Sequence, residues 1–194
     1  MSRGEIIAII FPVLKIVIAP NPILAQKAKP VTRIDNAIVN LISEMKKTLE
    51  ITKDPIGVGL AAPQVGKSLR IFIAKPTQKS PVWVFVNPKI QKLKEDIKQN
   101  AKQKTANGKL EGCLSLPNIW GNVSRASKIT LYYTDQHGKR HKRKLQGFMA
   151  NIIQHEVDHL DGILFTERVL RQKGKLYKSH KNEEGEDEFE ELEI

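Results

Sequence analysis

Ile38, Leu41, Ile42, Met45 and Leu49 recur at steps of three and four residues. That spacing lays an apolar stripe along a helix beginning near Ile34, with Asp35 placed to cap its first turn. Phe148, Ile152, Ile153, Val157 and Leu160 repeat the rhythm and predict a second helix over 148–160. Elsewhere the pattern shortens. Residues 14–19, 69–74, 82–87, 129–134 and 141–145 are runs rich in β-branched residues, which read as strands. Pro20 and Pro22 close the first run, and Asp54-Pro55 forms a turn after the first helix. Asp135-Gln136-His137-Gly138 reads as a hairpin turn joining the last two strands. Residues 92–109 are polar and lysine-rich, and are expected to form a surface insertion. Beyond Leu170 the chain turns basic and then acidic, as in a frayed tail. The pattern predicts an α+β fold in which antiparallel strands pack around a central helix. The expected organisation is one catalytic domain over 1–170 and a charged tail over 171–194.

Composition narrows the class. The chain has 194 residues, 40% hydrophobic and 27% charged, which fits a globular domain with a sizeable core. No apolar run approaches the ~18 residues of a membrane span, so no membrane partner is expected. The apolar stretch 6–14 is broken by Pro12 and preceded by Glu5, which reads as a lead-in rather than a signal peptide. The single cysteine, Cys113, excludes an intramolecular disulfide and points to a reducing compartment. A cytoplasmic location is expected, an organellar copy being the alternative. The net charge of +11 is unevenly spread. Residues 183–194 carry eight acids, leaving 32 lysines and arginines against 13 acids elsewhere, a balance of +19. Such a surface attracts polyanions such as ribosomal RNA, although a solvated lysine-rich surface explains it equally well.

The chemistry concentrates in Gln154-His155-Glu156-Val157-Asp158-His159, inside the second predicted helix. Histidines four residues apart share one helix face and can reach one metal ion, with the intervening glutamate as general base. Catalytic metal sites usually hold three protein ligands. In the HExxHxxGxxH pattern the third would stand at residue 165, which is Phe165 here, and Glu167 lies only eight residues after His159, closer than the separate-helix glutamate of other HExxH proteases. Cys113, in Glu111-Gly112-Cys113-Leu114-Ser115, is the natural candidate, because a thiolate with two imidazoles suits zinc or ferrous iron.

With these residues assembled, the chain resembles the peptide deformylase family. Its three motifs occur in order: GxGxAAxQ at 57–64, EGCLS at 111–115, and QHExDHLxG at 154–162. The resemblance extends over about 14–165, including the segments LKIVIAPNPIL and VNPKI. It implies removal of the N-terminal formyl group from formyl-methionine of nascent polypeptides. Cys113, His155 and His159 would bind one divalent metal, with Fe²⁺ favoured and Zn²⁺, Ni²⁺ or Co²⁺ as alternatives. Glu156 would move the proton, and the Gln64 amide with the Leu114 backbone N–H would hold the oxyanion. Val58, Gly59, Gly112 and Ile152 would bind substrate, and Glu111 would pair with Arg125. The chain departs from the family at Trp120, where Arg or Tyr is common, and offers Asn151 and Ile152 before the helix motif. Many bacterial members carry a basic C-terminal helix that docks on the ribosome; the basic stretch 168–181 here is followed by acids. A monomer is expected. The rival readings are an endopeptidase, a metal-stabilised RNA-binding module, and a deformylase-like enzyme with altered substrate.

Overall fold

The first helix, α1 (Asn36–Ile51), starts where Asp35 accepts a hydrogen bond from the Ile38 N–H at 3.1 Å. Its stripe of Leu41, Ile42, Met45 and Leu49 is buried. In the computed structural model, residues 12–53, 56–92 and 110–193 are described. The turn expected at Asp54-Pro55, nearly all of the insertion expected over 92–109, and most of the lead-in 6–14 lie outside them.

Strands β1 (Gly59–Ala61), β2 (Ile71–Ala74), β3 (Trp83–Lys92), β6 (Lys128–Thr134) and β7 (Arg140–Gln146) form a five-stranded antiparallel sheet in the order β1-β2-β3-β6-β7. Its two faces explain the sequence. Ile71, Ile73, Val84 and Val86 join the stripe of α1, whereas Phe72, Phe85, Ile129, Leu131 and Tyr133 face the other way. There they meet Ala150, Ile153, Val157 and Leu160 of α2 (Gly147–Leu160). Because β2 is covered on both sides, its sequence reads as an unbroken apolar run instead of alternating. Phe72 stacks on Phe85 with centroids 4.5 Å apart, closing the layer beneath α2. The fold class is the expected α+β, with α2 held centrally against the sheet.

A second sheet, ordered β4-β5-β8-β9, packs against α3 (Phe165–Arg171) through Cys113, Val123, Phe165, Val169 and Leu176. Its strands are β4 (Glu111–Cys113), β5 (Leu116–Gly121), β8 (Leu176–Lys181) and β9 (Asp187–Leu192).

Two expectations need correction. Residues 14–19 form no strand; Val17 N–H donates to the Gln64 carbonyl at 2.8 Å and Ala19 N–H to the Ser115 carbonyl at 2.9 Å. An extended segment bridging two motif loops meets separate partners, so no ladder forms. Nor does the chain beyond Leu170 fray. β8 and β9 form a hairpin, and β8 extends the sheet through pairing with β5. The charge segregation that read as a tail is the cross-strand pairing: Lys175 meets Glu191 at 2.7 Å and Lys181 meets Asp187 at 2.8 Å. Exposed pairs of this kind contribute little individually. The buried Leu176 and the backbone ladder anchor the hairpin.

Leu176→Ala should therefore cost about 3 kcal/mol in urea unfolding, as for other buried leucines. A change below about 0.5 kcal/mol, ordinary for a frayed tail, would contradict this packing.

Candidate metal centre

His155 and His159 stand one turn apart on α2, their rings edge-on with centroids 4.9 Å apart. Cys113 ends β4, where the register shifts after Gly112 as the chain turns into β5. That irregularity carries the thiol to the helix: Cys113 Sγ lies 3.2 Å from His159 Nε2. One ligand atom from each of Cys113, His155 and His159 falls within 4.8 Å of the other two. Donors of a tetrahedral ion at ~2.0–2.3 Å stand roughly 3.3–3.8 Å apart, so small rotations bring all three to one ion.

The trio is held from behind. His155 Nδ1 is 3.2 Å from Glu111 Oε2, leaving its other ring nitrogen for the centre. Glu111 accepts two hydrogen bonds from Arg125, at 2.6 and 2.8 Å. Arg125 Nη1 donates to Asp158 Oδ2 at 2.7 Å, and Asp158 Oδ1 also accepts from Arg168 Nη2 at 2.6 Å. This chain of charges joins β4, α2 and α3.

Electrostatics show that the centre favours positive charge. Burial opposes ionisation of Glu111, but hydrogen bonds from Arg125 and His155 outweigh it and hold its carboxyl at about 2. Burial likewise opposes a thiolate at Cys113, yet the adjacent imidazoles bring its pKa well below the ordinary thiol value. His155 is raised to about 10 despite burial, by its contacts with Cys113 and Glu111. A site that stabilises cationic charge between a thiolate and a carboxylate-backed imidazole is suited to a divalent cation.

Glu156 is buried beside the trio, and its Oε2 has no hydrogen-bond partner among the described residues. Burial raises its pKa to about 7, against the pull of His155 and His159. A carboxyl poised near neutrality can both take and return a proton. Room for it depends on Gly59, where a Cβ would lie 2.7 Å from Glu156 Cδ. Opposite, the Gln64 side chain is fixed by accepting from Ala61 N–H at 2.8 Å. Its Nε2 is thereby aimed at Cys113 Sγ, 3.5 Å away, and at Ser115 Oγ, 3.3 Å away.

A family model described as polypeptide deformylase matches residues 13–175. The chain belongs to the polypeptide deformylase family. It is 42% identical over 164 residues to the peptide deformylase of Chlorobaculum tepidum, covering 81% of each chain. It is 40% identical over 161 residues to that of Halothermothrix orenii, covering 82% of this chain and 96% of the relative. The crystal structure of Thermotoga maritima peptide deformylase superposes with a TM-score of 0.69 at 32% identity, over 81% of this chain and 97% of that one.

The three motifs meet at one place, with Gln64, Cys113, His155, Glu156 and His159 together. Neither of the later positions weighed for a third ligand supplies one. Phe165 is buried and stacks on His155 at 6.1 Å, while Glu167 is half-buried and pairs with Arg171. Val58 and Gly59 lie at the free edge of the five-stranded sheet, because β1 is its outermost strand. The Val58 carbonyl is already taken by Lys75 N–H at 2.8 Å. By strand alternation the Gly59 N–H and C=O then point outward. Ile152 is buried in the cluster that includes Val58, and Asn151 is exposed. Leu114 flanks Cys113 and approaches Gly57. Gly112 lies under the Trp120 ring, where a Cβ would meet Cζ3 at 2.8 Å. Trp120 itself donates to Ser179 Oγ at 2.9 Å and meets Phe189 edge-on at 5.8 Å. The family departure at Trp120 thus belongs to the C-terminal hairpin. Gln154 is structural, bonding Ala126 and Ala150. Sequence reading missed Arg168 and Ser115: no motif spacing links Arg168 to Asp158, whereas Ser115, a letter of the EGCLS motif, was within reach.

Arg125→Ala should leave Glu111 with His155 alone and Asp158 with Arg168 alone, and cost about 3 kcal/mol in urea unfolding. A loss below about 1 kcal/mol, the range of a surface ion pair, would show that the guanidinium does not bind the two sheets together.

Proposed function

We propose that this chain hydrolyses the N-terminal formamide of formyl-methionyl peptides, releasing formate from nascent polypeptides. The observation that carries the reading is the convergence of Cys113, His155 and His159 beside the buried Glu156 carboxylate, whose Oε2 has no hydrogen-bond partner among the described residues. We assign these three residues as ligands of one divalent ion. Ferrous iron is the working ion, and zinc, nickel or cobalt suit the same donors. When bound, the ion supplies Lewis acidity and makes a water nucleophilic near neutral pH.

The chain's own groups do the rest. Substrate enters as an extra strand on the free edge of β1, with the outward N–H and C=O of Gly59 bonding its backbone. Val58, Gly112 and Ile152 complete the substrate-binding set. Glu156, with its pKa raised to about 7, accepts a proton from the attacking water and returns one to the departing amine. As the formyl carbon becomes tetrahedral, its oxygen gains charge. The Gln64 Nε2 and the Leu114 backbone N–H donate to that oxygen. Gln64 needs no reorganisation, because the Ala61 N–H already fixes its amide. The Glu111–His155 contact holds the imidazole in place. The enzyme acts as a cytoplasmic monomer.

Formate release from a formyl-methionyl tripeptide by anaerobically prepared, iron-loaded protein tests the reading. Rapid release is expected, falling about 10²–10⁴-fold in Glu156→Ala with the ion still bound. Gln64→Ala should cost about 3 kcal/mol of transition-state stabilisation, seen in kcat more than in KM. No release from protein holding one ion per chain would sink the assignment.

A further inference from the structure

The positive charge of this chain has a specific home. Outside the acidic last twelve residues, lysine and arginine exceed aspartate and glutamate by 32 to 13. The basic strand β8 does not supply the excess, since Lys175, His180 and Lys181 face Glu191, Glu188 and Asp187 across the hairpin.

Five cations share one face of the five-stranded sheet, the face turned away from α2. There α1 covers β1, β2 and the first half of β3, through Val84 and Val86. On the second half of β3 and on β6 and β7, Lys89, Lys128, Tyr132, Arg140, Lys142 and Lys144 are exposed, while Thr130 between them is buried. Ile129, Leu131 and Tyr133 point toward α2, so strand alternation turns Lys128, Thr130, Tyr132 and Thr134 outward. The register sets Lys89 and Lys142 on either side of Tyr132, Lys144 beside Thr130, and Arg140 beside Thr134. Lys89, Lys128, Arg140, Lys142 and Lys144 are all exposed. No carboxylate pairs with any of them among the described residues. Tyr132 is 37% exposed in their midst, with the Lys142 ammonium 5.3 Å from its ring centre.

At the β6–β7 turn this face runs into a cavity of about 620 Å³. Arg33, Asn87, Gln136, His137 and Arg140 line it, and its lining contains no carboxylate. Arg140 belongs to both features. Neighbouring like charges repel and weaken the folded state, so a carboxylate-free row of this kind costs stability unless a partner neutralises it. A row of cations around an exposed ring, ending in a cationic hollow, matches a flexible strand of phosphates with unpaired bases.

We propose that the outer face of β3, β6 and β7 binds single-stranded RNA. Phosphates lie along Lys89, Lys128, Lys142 and Lys144, a base rests against Tyr132, and a further phosphate enters the cavity between Arg33 and Arg140. The metal centre lies on the opposite side of the sheet, so this binding is independent of the hydrolytic reading.

Fluorescence anisotropy with an end-labelled, mixed-sequence 20-nucleotide RNA tests it on the full chain. With five phosphates neutralised, affinity should fall about 100-fold between 50 and 200 mM KCl. The K89E/K142E/K144E variant should bind at least about tenfold more weakly at low salt, with formate release and thermal midpoint unchanged. The K27E/K67E/K79E variant makes the same change of net charge on other exposed lysines and should stay within about threefold of the parent. If the charge-reversed variant fails to fold, K142Q/K144Q reads the same loss at about threefold or more. The proposal is overturned if the parent does not bind the RNA, if both triple variants weaken equally, or if phosphatidylglycerol vesicles bind this face and RNA does not.

Discussion

The centre depends on one buried guanidinium. Arg125 is held charged by Glu111 on one side and Asp158 on the other, and its pKa is raised above the ordinary arginine value despite the burial that opposes it. Through Glu111 it fixes the strand that carries Cys113; through Asp158 it fixes the helix that carries His155 and His159. Cys113 comes from a strand of the second sheet and the two histidines from the helix packed on the first, and this ion-pair chain joins the two. An arginine suits the task because its planar fork satisfies both carboxylates at once.

The remaining packing serves the same end. Two apolar layers sandwich the five-stranded sheet, α1 on one face and α2 on the other, so α2 cannot shift without opening the core. The hairpin β8–β9 braces β5 from outside, and Trp120 presses on Gly112 immediately before Cys113. Glu156 is a polar group stored in that core with one oxygen unpartnered. Such an atom costs stability, and in a packed interior it persists where catalysis uses it. The Gln64 side chain is held by a backbone bond that directs its amide toward Cys113 and Ser115.

The two faces of the sheet divide the labour. The face toward α2 is apolar and supports chemistry. The other is closed by α1 over part of its width, and on the rest its exposed lysines pair with no carboxylate among the described residues.

Much of this was written locally. The period of 38–49 gave α1, the Asp35 cap is where its side chain allowed, and the i, i+4 histidines specified one helix face because helical geometry leaves no other arrangement. Three short motifs named the centre, because its chemistry restricts residue type within a few positions. Tertiary structure decided what no local pattern encodes. Residues 14–19 have strand composition but meet Gln64 and Ser115 on different loops, so they pair with neither as a ladder. The segment after Leu170 looked like a solvated tail because its opposite charges sit far apart in sequence; only the turn at 182–186 brings them face to face. Arg168 reaches Asp158 across a bend that follows Gly162, a contact set by the packing of α3 and not by any spacing. The sequence determined which groups do the chemistry; long-range pairing alone could determine what holds them still.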